Sequence, residues 1–240
     1  MIHIETKRHA HSLVGCGVVF LIAAGLTACA PSPASSNPVV SATATATATG
    51  SFVEGSAVVP YETLSDWASY ADAIIIARVA SIDREADVDS ETNLQLRDVD
   101  AVVSKVLWAS PLAARKIDNQ VTFNYGAWIL PSERPERRLY FPNAVDLQED
   151  SEYLIPMRYD GPATGWQPIF PSAIIPITEG VVGRGEKYLG EVHGFEARDT
   201  ISGKTLASTI SLLTSIKPDP RVLPFAGLPS VQRYQRSQAG

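Results

Sequence analysis

Histidine and carboxylate side chains are the residues of this sequence that could carry acid–base chemistry. His193 stands beside Gly194 and titrates near neutral pH, so it could act as a general base. A surface or loop histidine explains it equally well, and no nucleophile-elbow motif accompanies it. Glycoside hydrolysis needs two carboxylates, but 26 acidic residues give no way to select a pair. We therefore predict no enzyme, with a cell-envelope hydrolase using carboxylates or His193 as the alternative.

Metal ligands are scarce in the sequence. The chain has two cysteines and four histidines, too few to favour a zinc site. Alternating acidic residues from Asp87 to Glu91, followed by Asn93 and Asp98, have the spacing of a calcium loop, but Thr92 replaces the glycine that the sharp turn requires. The solvent face of a hairpin gives the same alternation. We expect no metal and no other cofactor.

A basic loop is the strongest candidate for a binding surface. Arg134, Arg137 and Arg138 lie together in SERPERR, and arginine binds carboxylates and phosphates through paired hydrogen bonds. Trp128 and Trp166 lie beside turn residues, where an exposed indole could stack on a wall glycan. A solvated loop with internal Glu–Arg pairs, and tryptophans in the core, are the alternatives. The candidate ligand-binding residues are Trp128 and the three arginines.

The charge balance argues against one class of partner. The formal net charge is −6 and the isoelectric point is near 5.2, whereas proteins that bind nucleic acid present a basic surface to its phosphates. Hydrophobic residues make up 45% of the chain, which is normal for a globular core. We expect a globular domain that does not bind nucleic acid.

The N-terminal residues predict export and a lipid anchor. Lys7 and Arg8 precede an apolar stretch at 12–26, which is shorter than the ~20 residues that cross a bilayer. The stretch ends in LTAC, which resembles the lipobox of bacterial lipoproteins. The resemblance implies that the Cys29 thiol receives a diacylglyceryl group and that the signal peptide, residues 1–28, is removed. An uncleaved anchor, or an ordinary secreted protein with a chance cysteine, is the alternative.

The remainder divides into a tether, a domain and a tail. Residues 29–53 are rich in Ala, Thr, Ser and Pro, so we expect the lipidated cysteine to be followed by a disordered tether. A single globular domain is predicted over 54–225. The last residues, 226–240, follow several prolines and predict a flexible tail.

Short strands dominate the predicted domain. A helix is expected near 63–71, and ADAIIIARV after it is typical of a buried strand. Alternation then predicts strands in which Val121 and Phe123 share a face, with Glu179-Gly180 in a tight turn. The segment SGKTLASTISLLTSI predicts an amphipathic helix, with Ser202 as its cap. The fold class is α+β, mainly β: a small OB-like barrel or rolled antiparallel sheet between these two helices.

The order of elements resembles a recurring domain of exported bacterial proteins whose function is unassigned. The matching pieces are the helix that leads into Ala71-Asp72, the strand through Val79, the Val106-Leu107 pair and Tyr153-Leu154. Ser151 departs from that pattern because it stands where the family has a turn glycine. The resemblance implies no catalytic residues.

These observations predict a membrane-anchored lipoprotein on the extracytoplasmic face of the cell membrane. Its partners would be the lipid bilayer, through acylated Cys29, and an envelope protein or wall component that the domain binds without catalysis. The sequence does not identify that component.

Overall fold

A computed structural model of the chain describes residues 57–84, 94–129, 137–189 and 194–239, together with three two-residue strands nearer the N-terminus. The predicted signal peptide, Cys29 and tether lie outside the described residues, except at those short strands. The acidic segment 85–93, Arg134 and His193 also lie outside them.

Antiparallel strands and short helices make up the described chain. The strands are β1 (Ile4–Glu5), β2 (Ser51–Phe52), β3 (Glu54–Gly55), β4 (Ala73–Arg84), β5 (Leu94–Ala109), β6 (Gln120–Ile129), β7 (Arg137–Tyr140), β8 (Glu152–Tyr159), β9 (Trp166–Pro168), β10 (Ile175–Thr178) and β11 (Val181–Val182). The α-helices are α1 (Leu64–Tyr70), α2 (Glu196–Ile201), α3 (Leu206–Ser215) and α4 (Ser230–Gln238). Two 3₁₀ turns span Pro171–Ala173 and Pro220–Phe225.

The main sheet has the strand order β11-β10-β8-β4-β5-β6-β7-β2, and β9 pairs with β8. Its pairs are antiparallel apart from β2 with β7, which is parallel, and β1 pairs separately with β3. Over the described residues the end strands β11 and β2 do not pair with each other, so the sheet is open. The predicted α+β, mainly β class is confirmed, with α1 before strands β4 to β11 and α3 after them. The sheet is not closed into the OB-like barrel that was one of the two predicted forms.

Both faces of the sheet are buried at its centre. On β4, Ile74 and Ile76 pack in a cluster with Trp67 and with residues of the helices. Ile75 between them packs on the other face, in a cluster that includes Phe123 of β6. A strand covered on both sides must be apolar at successive positions, which explains the unbroken run that predicted β4.

Helix α1 begins where the sequence predicts, whereas α3 has a different N-terminal capping residue from the predicted one. Thr63 caps α1, accepting from the Asp66 N–H at 3.0 Å, and Asp66 accepts from the Thr63 N–H at 2.9 Å. For α3 the cap is Thr205, whose hydroxyl accepts from the Ser208 N–H at 3.3 Å. Ser202 instead follows α2, a short helix that the sequence did not predict.

The segment predicted as a flexible tail, 226–240, contains the ordered helix α4, and this is a correction. Arg233 of α4 has no exposed side-chain surface, and it donates to the Asp72 carboxylate at 2.8 Å. Asp72, also fully buried, accepts from the Tyr159 N–H at 2.8 Å. Arg233 donates further to the carbonyls of Leu112, at 3.1 Å, and Leu228, at 2.9 Å. These bonds fix the end of the chain to the central sheet.

Candidate functional site

A polar groove lies at one edge of the sheet, beside the C-terminal ends of β4 and β6 and the N-terminal parts of β5 and β7. The segment that follows β7 forms its other side. Its volume is about 450 Å³, and its lining includes Arg97 of β5, Trp128 of β6 and Arg138 of β7. The exposed residues Asp83 and Glu149 also line it. Basic and aromatic side chains from three neighbouring strands therefore converge on one cleft.

A β-bulge brings Arg97 and Trp128 to the same face. Leu96 pairs with Ala127 and Asp98 pairs with Asn124, so two residues of β6 lie opposite Arg97. The extra residue shifts the alternation of β6, and Trp128 rather than Ala127 continues the face that carries Phe123. Gly126 occupies the bulge with a φ of 77°, which favours glycine. A Cβ at this position would lie 3.1 Å from the carbonyl oxygen of Leu139, so the backbones are in close approach.

Arg138 is held on the groove floor by a carboxylate. Its Nη1 donates to Oδ2 of Asp146 at 3.1 Å, and its Nη2 donates to Oδ1. Both side chains are largely buried, with exposed fractions of 22% and 23%. The Arg138 guanidinium also lies 4.8 Å from the ring centre of Tyr140. A two-bond pair of this kind fixes the plane of the guanidinium.

Arg97 is the unusual member of the cluster. Only 7% of its side chain is exposed, and the nearest carboxylate oxygen, Oδ1 of Asp146, is 3.9 Å from its Nη1. Its guanidinium forms no hydrogen bond with the described residues. Burial, and then the positive charge of Arg138, lower the pKa of Arg97 from the usual arginine value, although an arginine stays protonated at neutral pH. Among the described residues, the two cations of the floor thus have one carboxylate, Asp146, beside them.

Trp128 forms an aromatic wall beside these cations. Its indole is half-buried, and the Arg84 guanidinium lies 4.1 Å from the ring centre. Arg138, its partner across β6 and β7, lies 5.9 Å from that centre. Both distances fall within the range of cation–π attraction, so the ring and the arginines stabilise one another.

The structure brings together two of the four residues predicted to bind a ligand, Trp128 and Arg138. The backbone of Arg137 pairs with Ile129, but its side chain is outside the described atoms, as is the whole of Arg134. Trp166, predicted as exposed, is instead buried, with 6% exposure. It packs in the core against Tyr159, with ring centres 5.4 Å apart.

Arg84 and Arg97 were not predicted from the sequence. A signal for Arg97 was present, because it falls two residues before Val99 on the alternating strand β5 and so lies on the buried face. An arginine at a core position needs an anion or another acceptor nearby. No sequence pattern indicated the bulge at Gly126, which changes the alternation of β6.

No protein-family model, curated protein or solved structure matches the chain. Among the described residues no group of His, Cys, Asp and Glu has the arrangement of a metal site. Within the same residues, every helix is too short or too polar to cross a membrane. A functional proposal for the domain therefore rests on the groove itself.

Proposed function

We propose that the protein is a membrane lipoprotein whose extracytoplasmic domain binds an anionic group of an envelope protein or wall component. The observation that carries this proposal is Arg97, a largely buried guanidinium at the groove floor that forms no hydrogen bond with the described residues and lies 3.9 Å from the nearest carboxylate oxygen. A buried charged group is costly unless it is paired. An anion entering the groove would supply that acceptor.

The ionisable groups of the floor suit binding better than catalysis. Arginine side chains stay charged at physiological pH, so the two arginines of the floor can hold an anion but are poor general acids or bases. Asp146, the carboxylate between them, already accepts both Arg138 bonds. This chemistry supports a non-enzymatic module. The hydrolase alternative stays a prediction because its named residue, His193, lies outside the described residues.

The membrane anchor is proposed from the lipobox at Cys29. Each buried lipid CH₂ contributes about 0.8 kcal/mol, and two or more acyl chains give a stable anchor. The tether between Cys29 and β2 would act as a flexible coil with an average reach of roughly 25 Å. The domain would therefore stand clear of the lipid headgroups, where its groove could meet an envelope component.

Replacing Cys29 with alanine is expected to move most of the protein out of the membrane fraction. The variant lacks the sulfur that the acyl groups attach to, so the signal would not be processed as a lipoprotein signal. Fractionation of cells and metabolic labelling with an alkyne fatty acid measure the two effects. Cys16→Ala is the matched control, because Cys16 lies within the signal and should leave anchoring and labelling intact. Unchanged labelling of the Cys29→Ala protein would contradict the proposed anchor.

Replacing Arg97 with methionine is expected to abolish stabilisation by anions. A ligand at about ten times its Kd adds about 1.4 kcal/mol to the folded state, which raises the Tm of a chain this size by roughly 3–5 °C. The measurement is Tm of the detergent-solubilised full chain in acetate, benzoate, phosphate and citrate, against chloride at equal ionic strength.

The matched control is Arg78→Met, because Arg78 is an exposed arginine paired with Asp150 on the surface. That variant should respond to anions as the natural chain does. If no anion raises the Tm of the natural chain above its value in chloride, the groove is not an anion site. An equal rise in Arg97→Met and the natural chain would place the anion elsewhere.

A further inference from the structure

The charges around the groove limit how much negative charge a ligand can bring. On the floor, Arg97 and Arg138 face one carboxylate, Asp146, which leaves one positive charge uncompensated. At the rim, Asp83 and Glu149 also line the cleft. Among the described residues of the lining, the third basic residue is Arg84, which lies over Trp128. One anionic charge therefore completes the floor, and further charges would face the rim carboxylates.

The donors on the floor favour a group with two equivalent oxygens. The Arg97 guanidinium presents a planar set of N–H groups that form no hydrogen bond with the described residues. Nε of the neighbouring Arg138 is buried without a hydrogen-bond partner. The cluster thus has more donors than acceptors. A guanidinium pairs best with two oxygens in one plane, as in a carboxylate or the two free oxygens of a phosphodiester.

The size of the groove indicates a ligand with more than a charged group. Its volume of about 450 Å³ is within the usual range for sites that hold small organic molecules, whereas one water occupies about 30 Å³. Trp128 supplies a half-buried flat wall beside the arginines, and Arg84 lies over one side of its ring, so a ligand ring would pack on the part that Arg84 leaves open. Such a wall packs well against a ring.

We infer that the groove recognises a singly charged carboxylate or phosphodiester that carries a flat ring, with the two oxygens on Arg97 and the ring against Trp128. This inference rests on the proposed anion-binding function and narrows it to a ligand class. Both groups share one charge and a pair of equivalent oxygens. A ligand of higher charge, such as a phosphate monoester or a tricarboxylate, is disfavoured by Asp83 and Glu149.

The experiment is calorimetric titration of the detergent-solubilised full chain with matched anions. Benzoate and methyl phenyl phosphate carry a ring, acetate and dimethyl phosphate lack one, and sulfate and citrate carry higher charge. We expect each ring-bearing monoanion to bind about fivefold more tightly than its ringless counterpart, as an aromatic contact supplies, and more tightly than sulfate or citrate. Comparison of benzoate with methyl phenyl phosphate identifies which of the two groups is preferred.

Variants assign each part of the ligand to a residue. Trp128→Ala should remove the preference for ring-bearing anions while leaving weak binding of acetate. Arg97→Lys keeps the charge but loses the planar donor set, so its affinity for benzoate should fall toward that of a ringless anion. Cooperative thermal unfolding of each variant, measured first, separates a binding defect from a folding defect.

The outcomes separate this inference from the proposed function. Tighter binding of sulfate or citrate than of benzoate overturns the inference but leaves an anion-binding groove. Equal affinities with and without a ring overturn the contact with Trp128. Failure of all six anions to bind overturns both the inference and the proposed function.

Discussion

Replacing Arg233 with alanine is expected to lower the free energy of unfolding by about 3–5 kcal/mol. The substitution leaves the fully buried Asp72 carboxylate without its cation. Among the described residues, its remaining donors are the Tyr159 N–H and the Ser230 hydroxyl. It also removes the donors to the buried carbonyl of Leu112 and to the half-buried carbonyl of Leu228. Urea unfolding followed by circular dichroism measures the loss.

Two further variants identify the cause of that loss. Arg236→Ala changes an exposed arginine of the same helix and should alter stability by less than about 0.5 kcal/mol. The double variant Asp72→Leu, Arg233→Met removes both charges, so it should be more stable than Arg233→Ala alone. If the single and double variants lose equal stability, lost packing rather than an unpaired charge explains the effect.

The loss should also depend on pH. Burial raises the pKa of Asp72 and the charge of Arg233 opposes that rise, so removal of Arg233 raises the pKa further. A carboxyl whose folded pKa lies above its unfolded value contributes stability in acid that is lost as pH rises through the folded pKa. The penalty of Arg233→Ala should therefore be smallest near pH 4 and grow toward neutral pH.

Local patterns in the sequence predicted most of the sheet. The strands at β4 and around Phe123 in β6 were predicted correctly. A strand buried on both faces is apolar at successive positions, and a strand buried on one face alternates apolar and polar residues. The Glu179-Gly180 turn was also correct, and both residues have positive φ, at 53° and 72°. Such features depend on neighbours in the chain.

Pairings between distant segments were not predictable in the same way. The polar sequence SVQRYQRSQ of α4 suggested a tail, because nothing local shows that Arg233 meets a carboxylate 161 residues earlier. The groove illustrates the same limit: Trp128 and Arg138 are close in sequence and were both identified. Arg97 joins them only through the pairing of β5 with β6, and Trp128 faces it only because of the bulge at Gly126.

Asp146→Asn is expected to strengthen anion binding while weakening the fold. The substitution changes the floor from two cations and one carboxylate to two cations, so an entering anion no longer competes with a fixed negative charge. We expect benzoate to bind about tenfold more tightly, which corresponds to about 1.4 kcal/mol. Calorimetric titration of the full chain measures this gain in affinity. The double variant Asp146→Asn, Arg97→Met should lose the gain.

The Asp146→Asn substitution should lower the free energy of unfolding, although it strengthens anion binding. Without ligand the variant should lose about 1–2 kcal/mol, since Arg138 keeps one acceptor but loses a partly screened ion pair. Asp150→Asn is the matched control, because that carboxylate pairs with Arg78 at the exposed surface, and it should change neither quantity. Asp146 could alternatively serve to aim the arginines at the ligand. In that case Asp146→Asn would bind benzoate more weakly than the natural chain. That result would contradict the role of Asp146 as a fixed anion that competes with the ligand.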